Sequence, residues 1–242
     1  RRAAVGEQKT GDRRLTFASD FAHSEGAKFT ARTGRFAPGR IDVDIAAQLT
    51  RIEQVRASGR AAEAETMCRQ LADRAPDSPG ILNSLALIVR DRGDFIEAES
   101  LLRRAIAGAP REAALFNNLG TVLASANDLS GAEMAYRKAV ELVPGYAEAY
   151  FNLGNALHQR NRSEQALAAQ RRAVAIRPNY AEALVQIAVL QSESGAKEDA
   201  LETLRSALIA NPRLFACRYY AGTILTELHR FDEAIVELQA AV

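Results

Sequence analysis

The chain has 242 residues, of which 48% are hydrophobic and 25% charged, with a formal net charge of +1. That balance suits a soluble globular or solenoid protein and argues neither for nor against a polyanionic partner. No apolar run approaches the roughly 20 residues a membrane span needs, so a spanning helix is excluded from the reading.

Residues 1–44 come first and carry no repeat. They are rich in Gly, Arg, Thr and Ser, with nine Lys or Arg against six Asp or Glu, which is the composition of a flexible tail. Yet they hold four of the chain's nine phenylalanines, Phe17, Phe21, Phe29 and Phe36. Leu15, Phe17, Ala18 and Phe21 have the spacing of a short amphipathic turn or helix. Two roles stay open for this segment: a cap on the first hairpin, or a peptide mimic lying in a binding groove, its own or that of another copy.

From Ile45 the chain is periodic. Pro76, Pro110, Pro144, Pro178 and Pro212 each stand 34 residues from the next, and a fixed period of this size marks a stacked repeat. The units are 45–78, 79–112, 113–146, 147–180, 181–214 and a shortened 215–242. Position 20 of the unit is alanine six times: Ala64, Ala98, Ala132, Ala166, Ala200 and Ala234. Position 15 reads Gly59, Gly93, Asn127, Asn161, Gly195 and His229, types that tolerate a positive φ and often follow a helix end. Each unit is therefore expected to hold two helices, the first stopped near position 15 and the second by the proline. Phe116, Leu119, Val122 and Leu123 show the helical spacing of the first, and Ala132, Ala135, Tyr136, Ala139 and Val140 that of the second.

The signature resembles the tetratricopeptide repeat family over about four-fifths of the chain. It is clearest in Phe116-Asn117-Asn118-Leu119-Gly120 and Tyr150-Phe151-Asn152-Leu153-Gly154, followed by Ala132 with Tyr136 and by Pro144 or Pro178. Tryptophan, frequent at position 4 of the family, is absent here. The resemblance implies an all-α, right-handed superhelical solenoid of about six helical hairpins, whose first helices line a concave groove that holds an extended peptide or a partner helix. It implies a binding scaffold, not an enzyme, with no cofactor.

Groove-facing residues are expected at positions 2, 5, 6, 9, 12 and 13. Position 6 is polar in every unit: Thr50, Ser84, Asn118, Asn152, Gln186 and Tyr220. With Asn83, Asn117 and Asn155 it forms an amide ladder suited to a peptide backbone, because an amide both donates and accepts. The ladder is similar to the inner surface of protein O-linked N-acetylglucosamine transferases, although many bacterial arrays share the Asn-Leu-Gly wording. Positions 5 and 9 hold no lysine, which disfavours a clamp for a C-terminal carboxylate. Arg56 and Arg90 sit early in the groove, while Glu148, Glu182, Glu193 and Glu227 sit late, a gradient that would orient a polar ligand. An arginine stripe at position 25 (Arg69, Arg103, Arg137, Arg171 and Arg205) reads as a solvated face, so no nucleic acid partner is expected.

His23, His158 and His229 are dispersed, and no His or Cys spacing suits zinc. Cys68 and Cys217 read as buried thiols of a reducing compartment, and a cytoplasmic location is expected. The chain starts with Arg1 and ends inside a helix, and reads as part of a longer protein. The partner is expected to be a protein or extended peptide. The alternatives are a substrate-recognition arm of a larger glycosyltransferase, sulfotransferase or oxygenase, and self-association with another copy.

Overall fold

The periodicity sets hairpin after hairpin. The computed structural model describes residues 40–241; the suggested turn at Leu15–Phe21 lies outside them. In order they form α1 (Arg40–Ala57), α2 (Ala61–Arg74), α3 (Pro79–Asp91), α4 (Phe95–Gly108), α5 (Ala113–Ser125) and α6 (Leu129–Leu142), then α7 (Ala147–Gln159), α8 (Ser163–Ile176), α9 (Ala181–Glu193), α10 (Lys197–Ala210), α11 (Phe215–Glu227) and α12 (Phe231–Gln239). Five of the six first helices begin at the first residue of their unit; α1 begins earlier, at Arg40.

The hairpin turns follow from position 15. Gly59, Gly93, Asn127, Asn161, Gly195 and His229 all have positive φ, between 59° and 91°. Each sits just past the end of a first helix in a Schellman motif. In the second unit the Gly93 N–H donates to Arg90 O at 2.8 Å and the Asp94 N–H to Val89 O at 3.1 Å, and the same pair of bonds recurs in the other five. The second helices stop before proline. Ala75, Ala109, Val143, Arg177 and Asn211 leave the helical region at the residue preceding it, as the clash with the proline ring requires.

Within each unit the two helices pack antiparallel, and each second helix then packs on the first helix of the next unit. The result is an all-α superhelical solenoid. Small residues permit the close approach. The six position-20 alanines are buried, as are Ala105, Ala139, Ala173 and Ala207. Successive first helices also touch one another, α1 with α3, α3 with α5, α5 with α7 and α9 with α11.

Candidate functional site

Two side-chain bonds join asparagines of successive first helices, fewer than position 6 alone suggests. The Asn118 side-chain N–H donates to Asn83 Oδ1 at 2.8 Å, and the Asn152 N–H to Asn117 Oδ1 at 3.0 Å. Position 6 of one unit thus bonds position 5 of the unit before it. Asn83, Asn118 and Asn152 are half-buried, and Asn117 is buried at 8% exposure. Ser84 stands beside them, half-buried.

The row ends at Phe151. That residue takes position 5 in the fourth unit, where a further amide partner for position 6 of the next unit would stand, and its ring lies 5.1 Å from the Tyr180 ring. Asn155 does not join the ladder. Its Oδ1 accepts from Gln170 Nε2 at 2.9 Å, inside the hairpin. Beyond Phe151 the floor is apolar: Val185 is buried and Val189 half-buried. On α11 the Phe215 and Tyr219 rings stack at 5.9 Å, and Tyr220 meets Tyr219 edge-on at 5.6 Å. Burial pushes the Tyr220 hydroxyl upward, with Tyr219 and Glu193 adding to the shift.

The charge gradient needs correction. Arg56 bonds Glu53 and, at 2.9 Å, Asp91 Oδ2; Arg90 bonds Asp91 Oδ1 at 2.6 Å. At the other end Glu148 pairs with Arg177, Glu193 with His158 at 2.8 Å and Glu227 with Lys197 at 3.1 Å. Five of the six charges that the sequence offers to a ligand, all but Glu182, thus bond other side chains of the array. Arg56–Asp91 and His158–Glu193 each join position 12 to position 13 of the next unit, so they brace neighbouring first helices.

The arginine stripe is neutralised where it begins. Arg69 pairs with Glu65 and Glu97, Arg103 with Glu99, and Arg137 with Glu133. Cys68 and Cys217 are buried free thiols. Among the described residues no group of three or more His, Cys, Asp or Glu is placed to hold a metal ion, and no helix is long and apolar enough to cross a membrane.

The aromatic end, Phe215 and Tyr219, is absent from the residues the sequence singled out. Its signal stands at position 5, where Phe151 and Tyr219 share a row with Leu49, Asn83, Asn117 and Val185.

The sequence profile described as tetratricopeptide repeat matches residues 55–113, 84–147 and 117–181. No curated protein matches the chain. Among solved structures the fold is similar to PilF of Pseudomonas aeruginosa, with 18% identity over 81% of this chain and 89% of that one and a TM-score of 0.73. It is similar to MamA, with 23% identity over 65% and 92% and a TM-score of 0.60. It is also similar to YrrB, described as a TPR protein with an unusual peptide-binding site, with 18% identity over 72% and 90% and a TM-score of 0.57.

Proposed function

The chain belongs to the tetratricopeptide repeat family, and from that premise we propose that it is a protein-interaction scaffold whose concave groove binds an extended peptide. The observation that carries this reading is the pair of amide bonds Asn118–Asn83 and Asn152–Asn117. An asparagine amide offers two N–H donors and an acceptor with two lone pairs. Each bond uses one N–H and one lone pair, so every rung keeps polar capacity toward the groove. Three successive first helices repeat it at one register, which is what a peptide main chain running across them needs. The peptide-binding site described for YrrB, a protein of similar fold, supports the same use of the array.

The test is a pull-down with the folded chain and with Asn118→Ala/Asn152→Ala. The double variant removes two donors from a half-buried surface, so its helical content should hold while the captured partner falls by about tenfold or more, the loss of roughly 1.4 kcal/mol. A partner retained at full affinity by the double variant rules the groove out as its site.

A further inference from the structure

The groove floor changes from amide to aromatic along its length. We infer, resting on the groove reading above, that its ligand is a proline-containing segment in the polyproline II conformation, with a proline face laid on Phe215, Tyr219 and Tyr220.

The spacing of the first helices supplies the first reason. The ladder helices α3, α5 and α7 touch in succession, and helices in contact lie roughly 8–10 Å apart. A polyproline II chain turns once in 3 residues and rises about 3.1 Å per residue, so it presents the same face about every 9 Å. A β-strand turns its side chains over at each residue, so a three-residue step shows opposite faces to successive units. Only the threefold chain offers every rung the same side.

Hydrogen-bond inventory supplies the second. Proline lacks an N–H but keeps its carbonyl, so a proline-rich main chain asks chiefly for donors. Asn118 and Asn152 each retain one side-chain N–H after bonding their neighbour, and Asn83 has an amide NH2 not used in the ladder. Polyproline II makes no internal hydrogen bonds, so its carbonyls are free to accept these donors.

The third reason is the aromatic end itself. Phe215 is 57% exposed, although it is large and apolar. Its ring runs nearly parallel to that of Tyr219, at 17°, and Tyr220 stands across Tyr219 at 73°. Such a set of ring faces and edges is the surface on which proline-rich segments dock.

The experiment measures binding of the whole chain to a labelled peptide of repeated Pro-Pro-Ala triplets and to a control of repeated Gly-Ser-Ala triplets. The proline peptide should bind about tenfold tighter than the control. Phe215→Ala and Tyr219→Ala should each remove about tenfold of that affinity, while Tyr219→Phe keeps it. Phe215 is exposed, so its variant retains the fold, as circular dichroism should verify. Equal binding of both peptides, lost in Asn118→Ala/Asn152→Ala, overturns the proline inference and leaves the groove reading standing. Proline-peptide binding that survives both the aromatic and the ladder variants lies outside the groove and overturns both. Failure of the proline peptide to bind overturns the inference. A dimer mass that disappears in Phe215→Ala identifies a second copy as the occupant of the aromatic end, and likewise overturns it.

Discussion

Gly120 and Tyr136 meet more tightly than a side chain allows: a Cβ built on Gly120 falls 2.6 Å from Tyr136 Cε1. The ring has little room to retreat. It is buried, and its hydroxyl bonds Thr121 Oγ1 at 3.3 Å. Alanine gains about 1 kcal/mol over glycine in a helix, but overpacking costs about 1–3 kcal/mol, so Gly120→Ala should destabilise the chain. Gly154 has the same position, and its Cβ would fall 2.5 Å from Gln170 Nε2, the end of a jointed side chain whose displacement costs two hydrogen bonds but moves no rigid ring. Urea unfolding should therefore rank Gly120→Ala as the costlier change. The reverse order would show that ring rigidity is not what sets the cost.

Gln170 carries the next prediction. It is 1% exposed, and its Nε2 donates to Phe151 O at 3.2 Å and to Asn155 Oδ1 at 2.9 Å, while Oε1 has no partner. Turning the amide over would set its oxygen against the Phe151 carbonyl oxygen. Leu102 and Leu204 fill the same repeat position elsewhere. Leucine removes an orphaned acceptor that costs about 1–3 kcal/mol, against two hydrogen bonds worth about 1 kcal/mol each. Half-buried Asn155 can turn to water. Gln170→Leu should leave thermal stability equal or raise it. A drop in Tm of several degrees would mean that the two bonds outweigh the orphan.

Much of this was legible because it is periodic. The six positive-φ residues at position 15 and the buried alanines at position 20 follow from the unit alone. What the unit does not encode is how units meet. Asn118–Asn83, Asn152–Asn117, Arg56–Asp91 and His158–Glu193 all join residues 35 apart, one more than the repeat. That offset comes from the packing of successive first helices, and it decides which groove charges cancel. The inward turn of Asn155 was hidden for a related reason. Its partner Gln170 lies on the second helix, where a core residue is usual.

Glu133 is 2% exposed and is held by Arg137, Arg160 and Arg162, the last at 2.7 Å. The three cations come from two units, so the carboxylate fastens α6 to the turn between α7 and α8. Its loss differs from that of a lone buried pair, worth about 3–5 kcal/mol, because the arginines are partly exposed and can reach water. Glu133→Gln should cost about 1–3 kcal/mol, and any one arginine replaced by alanine less than about 1 kcal/mol, since two remain. Chemical denaturation of the four variants checks this. An arginine variant as unstable as Glu133→Gln would show that a single pair dominates.

The buried thiols predict an alkaline limit. Desolvation pushes Cys68 up to about 12 and Cys217 up to about 11, from an ordinary value near 9. Burial likewise raises Tyr136 and Tyr146 to about 12. The folded chain keeps these protons more tightly than the unfolded one. Their contribution is therefore fully present below about pH 9 and is lost as pH climbs toward 12. The urea midpoint should be insensitive to these groups up to about pH 9 and fall above it, and Cys68→Ala/Cys217→Ala should flatten the first part of that fall. At pH 8 the folded thiols should react with a thiol reagent far more slowly than in urea, because the thiolate is the reacting form. Equal rates in the two states would place Cys68 and Cys217 within reach of water and contradict their burial between the helices.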